Sequence, residues 1–304
     1  MPAWLTAFSV ALCCAGTLSA EAAAADATAP ATTAAADPGY AFAAGQPRYG
    51  HYDLHQDAVL TTAGDRLTYT TTMGWRFVLL PLTITPDRAE LAVTILHADA
   101  TLSGPGTENH VDTDSDDETM KQDPVFGHLY ALRSARLILV VDPHTGIVID
   151  VQGAAALADA VAKDAPSALG PTEPSPIAAA AKAAYDPQAL ARMWTAMLVR
   201  PGVTAAPLGP PLGGNAARTW TGYDYTLGLA PGSDHLAATL GQTPVAVAAT
   251  LQTLTGTGHQ GLSPDLQGAA TGTLHAVINL TALTQGAAVD ENVTWTLTMG
   301  AVGK

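Results

Sequence analysis

The chain has 304 residues, 48% of them hydrophobic and 13% charged, which is enough apolar material for one large domain or two small ones and excludes a fully disordered chain. Its 13 Lys and Arg against 27 Asp and Glu give a net charge of −14. That balance excludes a sequence-independent grip on nucleic acid phosphates, and also docking onto an anionic membrane through a basic patch.

At the start, Met1-Pro2-Ala3-Trp4 leads into an uncharged apolar run, Leu5 to Leu18, followed by small residues with cleavage sites after Ala20 or Ala22. The run is shorter than the ~20 apolar residues of a membrane span. Residues 1–22 therefore read as a signal peptide. The expectation is a periplasmic or secreted protein with no transmembrane anchor after cleavage. Both cysteines, Cys13 and Cys14, lie inside this leader, so the mature chain would carry no disulfide, thiolate nucleophile or Cys-based zinc site. Leu12 before Cys13 argues against lipidation. Residues 23–39, rich in Ala, Thr and Pro, read as a flexible tether.

From Tyr40 onward, Thr-, Val-, Leu- and Tyr-rich runs alternate with turn residues. Ala63-Gly64-Asp65 separates strands over His51–Thr62 and Arg66–Val78, and Thr85-Pro86-Asp87-Arg88 leads into Ala89–Leu102. Pro81 predicts an edge or a bulge late in the second of these. After an acidic loop, Asp142-Pro143-His144-Thr145-Gly146 joins Ala135–Val141 to Ile147–Val151. Leu137 to Val141 are apolar on both faces, which predicts a central strand covered on both sides.

The middle reads as helical. Ala154–Lys163 carries Leu157 and Val161 at i,i+4. A Pro-, Gly- and Ser-containing linker, Pro166 to Pro176, precedes a second helical stretch from Ile177. Asp186-Pro187 reads as an N-cap followed by Pro at the first helical position. The helix it opens presents Leu190, Trp194, Met197 and Leu198 on one face, and Arg200-Pro201-Gly202 stops it. Strands are then expected over Trp220–Leu229, Leu236–Leu240, Val245–Thr255, Ala269–Leu280 and Asn292–Met299. In the last, Val293, Trp295, Leu297 and Met299 alternate with Thr294, Thr296 and Thr298, as in an antiparallel sheet with one wet face. The order of strands, helices and strands predicts an α+β fold: antiparallel β-sheet halves, forming a curved sheet or half-barrel, over residues 40–153 and 218–300 around a helical segment at 154–200.

Two groups suggest metal chemistry. Asp112, Asp114, Asp116 and Asp123 approximate the oxygen-ligand spacing of a calcium loop, although Asp117 stands where such a loop wants Gly and no helical pattern flanks the segment. On a strand, His51, Asp53 and His55 share a face, but two-residue steps place successive groups ~6–7 Å apart, too far for the outer two to meet around one ion. His97 and His128 are further donors without an assigned place. No G-x-S-x-G elbow, H-E-x-x-H, S-x-x-K or phosphate loop occurs.

The acidic run Val111 to Glu118, the Gly-turned hairpin Ile138–Gly153, the helices after it and the connection from Pro207 into Trp220 resemble, in that order, a family of exported bacterial β-rich proteins known only as a domain of unknown function. Asn215-Ala216-Ala217-Arg218 stands where that family has a Gly-Asp pair. The resemblance implies an envelope location and an antiparallel sheet, with no catalytic residues to carry over.

These readings point to a non-enzymatic exported envelope protein with no cofactor except calcium on the acidic loop. Its partner would be a hydrophobic or lipid ligand held between a curved sheet and the helices, with Met193, Trp194, Met197 and Leu198 lining the site. The alternative is a structural or protein-interaction module of the cell envelope, with or without calcium on residues 112–123.

Overall fold

The computed structural model of the protein describes residues 39–62, 64–123, 126–164, 185–207, 215–229, 235–240, 245–280 and 287–301. The leader, the tether up to residue 38, both cysteines, the linker at Pro166 to Pro176 and the helical stretch expected from Ile177 lie outside the described residues.

The β-type runs pair as one antiparallel sheet of thirteen strands. They are β1 (Arg48–Thr61), β2 (Arg66–Thr85), β3 (Arg88–Gly104), β4 (Thr107–Asp112), β5 (Leu137–Val141), β6 (Val148–Gln152), β7 (Ala205–Pro207), β8 (Asn215–Thr221), β9 (Asp224–Leu229), β10 (His235–Leu240), β11 (Val245–Gln260), β12 (Gly268–Leu280) and β13 (Ala287–Gly300). The spatial order is β6-β5-β3-β2-β1-β13-β12-β11-β9-β8-β7. The first and last strands pair at the centre, from Tyr49 opposite Gly300 to Thr61 opposite Ala288, and this joins the two β halves into a continuous sheet. One long strand in each half carries two partners along its outer edge, β4 and β5 on β3, and β9 and β10 on β11.

Among the described residues, four short helices accompany the sheet: α1 (Glu118–Lys121), α2 (Leu129–Ser134), α3 (Ala154–Asp164) and α4 (Pro187–Leu198). The α+β expectation is corrected in weight, because sheet dominates and the helices cover the sheet instead of dividing it. The sheet is not closed, and β6 and β7 are its end strands. Helix α4 packs on β6 and also touches β7, and the Val148 amide of β6 donates to Thr195 Oγ1 at 2.9 Å.

Helix α4 begins as its sequence predicts, with the Asp186 carboxylate accepting from the Gln188 amide and Pro187 in the first turn. Its C-terminal carbonyls are buried and would be costly if left unpaired. Gln260 Nε2 donates to the Met197 and Val199 carbonyls at 3.1 and 2.8 Å, and the Tyr40 hydroxyl donates to Leu198 at 2.9 Å. Gly146, in the β5–β6 turn, has φ +72°, and a Cβ there would stand 1.9 Å from the Leu198 carbonyl oxygen. Gly146→Ala would combine the left-handed penalty with displacement of the helix end. We expect a loss of at least ~2 kcal/mol in urea unfolding.

Strand β13 alternates as read, from buried Val293 to buried Met299 against exposed Thr294 and Thr298, with Trp295 partly covered. Pro81 lies beyond the reach of β1, whose last partner on β2 is Leu79, and the β2–β3 register slips between Pro81 and Thr83, so both readings of that proline hold. Strand β5 is buried as expected but lies second from the edge instead of centrally. The strand expected over Trp220–Leu229 is two strands, because Gly222, at φ +65°, makes a tight turn with Tyr223. Helix α1 also follows the acidic loop directly, contrary to expectation.

Candidate functional site

The sheet has two chemically different faces. The inner face carries the core: Tyr52, Trp75, Phe77, Leu91, Leu139 and Leu297 pack beneath helices α3 and α4. Met193, Trp194, Met197 and Leu198 are brought together there as the sequence predicts, but as packed core with exposures of 8%, 1%, 2% and 0%. The cavity beside Met193 and Met197, bounded by Tyr52, Arg218, Leu274 and Trp295, holds about 40 Å³. That is room for a water or so, and a lipid would have to displace packed side chains.

The outer face is a lattice of hydroxyl, imidazole and carboxylate groups. Register places Thr219, Thr226, Thr257, Thr273 and Thr294 in one row across β8, β9, β11, β12 and β13, all exposed. One two-residue step along each strand, Thr221, Asp224, His259, Thr271 and Thr296 form a second row. Between the rows run Tyr225, Gly258, Gly272 and Trp295, with the side chains of Tyr225 and Trp295 on the inner face. A Cβ at Gly258 would lie 2.2 Å from the Tyr225 ring, and one at Gly272 would lie 2.3 Å from Trp295 Nε1. The glycines thus let two aromatic rings lie against the backbone from within, and the bare outer side of that backbone floors a groove of about 530 Å³ lined by both rows. Within it, the Thr257 and Thr273 hydroxyls share a hydrogen bond at 3.0 Å, and His259 Nδ1 lies 2.7 Å from Asp224 Oδ1. Thr219, Thr226 and Thr294 hydroxyls make no hydrogen bond among the described residues. Tyr223, 55% exposed on the β8–β9 turn, stands with its ring centroid 6.5 Å from that of His259. The Thr-x-Thr alternation of β13 was legible in the sequence, but its continuation over four other strands is a product of register.

At the β1–β4 side of the same face the acidic loop is an ion-pair network. A register slip opposite Arg76 and Phe77 leaves Leu96 unpaired and sets His97 against Asp99, Asp112 and Asp114. His97 Nε2 is 3.2 Å from Asp99, and Nδ1 is 3.4 Å from Asp112 and 3.0 Å from Asp114. Among the described residues, His97, Asp112 and Asp114 are the three donors close enough together to share an ion. Both Asp114 oxygens already face guanidinium groups, Arg133 at 3.2 Å and Arg76 at 3.1 Å, so a cation would compete with two arginines. Of the four carboxylates read as a calcium loop, the structure brings Asp112 and Asp114 together and directs the others elsewhere. Asp123 accepts from Asn109 and from the Phe126 amide, and Asp116 is outside the cluster. Asp117, at the position where a calcium loop turns on Gly, instead caps α1, and hydrogen bonds from Thr119 hold its carboxyl below the usual range. We expect added calcium to leave the melting midpoint unmoved; a midpoint that rises with calcium would assign the loop as a cation site.

His51 and His55 do not converge on an ion. Each is paired with the Asp two residues on, at 3.2 and 3.1 Å, while Tyr52 and Leu54 turn inward as read. His128 packs edge-on against Tyr185.

One buried acid escaped the sequence reading. Glu291 of β13 lies on the inner face with no exposure, opposite Ala58 and Ala276. Gln56 Nε2 donates to its Oε1 at 2.7 Å, and Oε2 is buried without a hydrogen-bond partner. Burial pushes its carboxyl up to about 8, against a weaker opposing effect of the Gln56 hydrogen bond. The signal was present in Val289-x-Glu291-x-Val293, which puts the acid in phase with the apolar side of the strand.

No known protein family and no curated protein matches the sequence. Among solved structures, DynF from the dynemicin biosynthesis pathway of Micromonospora chersina is similar at TM-score 0.22 and 8% identity, over 89% of this chain and 92% of that one. An outer membrane channel from Pseudomonas putida F1 gives 0.21 and 8% over 86% and 98%, and OpdQ of Pseudomonas aeruginosa gives 0.18 and 8% over 84% and 98%. Likeness at this level carries no argument about fold or function. No helix among the described residues is long and apolar enough to cross a membrane.

Proposed function

We propose that the chain is a non-enzymatic exported protein of the cell envelope that binds its ligand on the outer face of the sheet. The Met1–Ala22 leader supports export. The observation that carries the reading is the contrast in volume: a threonine-lined groove of about 530 Å³ outside, against about 40 Å³ behind α4. Ligand sites are concavities that can enclose a small molecule or a polymer segment, and the outer groove alone has that size among these two. The ligand is uncharged and polar, because threonine hydroxyls both donate and accept and no Lys or Arg lines the groove.

The test is native mass spectrometry of protein recovered from the envelope fraction without detergent, beside the Thr257→Val/Thr273→Val double variant. A copurifying mass present in the wild type and lost from the variant is expected. An adduct of lipid mass that survives in the variant would return the ligand to the interior beside Met193, Trp194, Met197 and Leu198 and overturn the reading.

A further inference from the structure

We propose that the groove takes a neutral, linear β-linked polysaccharide laid across the strands, about one sugar ring per strand; this rests on the groove being the ligand surface. The threonine row steps from strand to strand at ~4.8 Å, so its five members span about 19 Å. A β-1,4-linked chain advances by about one pyranose ring over the same step. Each ring therefore meets a fresh hydroxyl, in a trough between two rows set ~7 Å apart.

The chemistry selects against other partners. Asp224 and the net charge of −14 repel anionic chains, and no cation in the lining compensates. A lipid would find an open face studded with hydroxyls where it needs an enclosed apolar cavity. A peptide gains affinity by pairing with a strand edge, whereas the groove is a face whose backbone groups are already paired between strands. At the β8–β9 end, Tyr223 offers a ring for the apolar face of a sugar, while the Asp224–His259 pair offers hydrogen bonds to its hydroxyls.

The experiment is isothermal titration of the mature protein with cello- and chito-oligosaccharides of one to seven rings. Affinity is expected to rise with chain length to about five rings, the number of strands in the row, and then level. Thr257→Val/Thr273→Val should weaken the hexamer at least tenfold and Tyr223→Ala several-fold. Thr68→Val, an exposed substitution on β2 outside the groove, should change nothing. Equal affinity for monosaccharide and hexamer would overturn the laid-across geometry. If no oligosaccharide binds while the double variant still loses a copurifying mass, the ligand class is wrong and the groove reading stands. Should neither oligosaccharide nor copurifying mass respond to the double variant, both readings fail. Inhibition of ice recrystallisation abolished by the double variant, without oligosaccharide binding, would assign the hydroxyl lattice to ice and overturn the polysaccharide.

Discussion

Glu291→Gln is expected to be more stable than the wild type at neutral pH and above, by about 3 kcal/mol at pH 7. The folded protein holds this carboxyl near 8, whereas the unfolded chain releases its proton near 4.5. Below pH 4.5 the acid is protonated in both states and costs nothing. Between 4.5 and about 8 the unfolded state ionises while the folded state keeps its proton, so wild-type stability falls by roughly 1.4 kcal/mol per pH unit. The fall levels above about 8 after a total of roughly 5 kcal/mol. An amide removes this dependence and keeps the acceptor that Gln56 uses; its N–H2 stands where the acid's O–H was equally unpartnered. Urea unfolding of both proteins at pH 4.5, 7 and 8.5 checks this. Stability differences that do not change with pH would show that Glu291 is ionised in the fold.

Trp194→Ala is expected to cost ~3–5 kcal/mol, the range for deleting a large aromatic from a packed core. Trp194 is 1% exposed and meets Phe77 of β2 edge to face, with centroids 5.1 Å apart. Because α4 also ties β6 through the Thr195 hydroxyl, and Tyr40 and Gln260 through its terminal carbonyls, loosening it reaches both halves of the sheet. A double-mutant cycle with Phe77→Ala should return a coupling of ~0.5–1.5 kcal/mol, measured by denaturant unfolding. An additive pair would mean that the ring contact contributes nothing beyond burial. In a Trp194→Ala protein that remains folded, oligosaccharide affinity should be unchanged, since the substitution lies behind the sheet from the groove.

Several elements are legible in the sequence alone. The hairpins around Gly64 and Asp87, the capped start of α4 at Asp186-Pro187 and the alternation of β13 follow from local rules, because turn residues, caps and periodicity act within a few positions. The apolar face of α4 was equally plain, but an apolar stripe reads the same whether it meets a ligand or a neighbouring strand. Only the 40 Å³ left beside Met193 and Met197 distinguishes the two. The acidic loop shows the same limit. Aspartate spacing suggested one calcium centre, whereas Arg76 and Arg133 arrive from a distant strand and helix to claim Asp114.

What the sequence by itself determined was the antiparallel character, most strand positions, the helix boundaries around residue 186 and the polarity of each strand's faces, because a period of two assigns side chains to faces without reference to partners. The tertiary structure decided the pairing of β1 with β13, the merging of two halves into one sheet and the alignment of threonines from five strands into one row. Those depend on register between segments as much as about 250 residues apart, and local pattern leaves strand order and offset open.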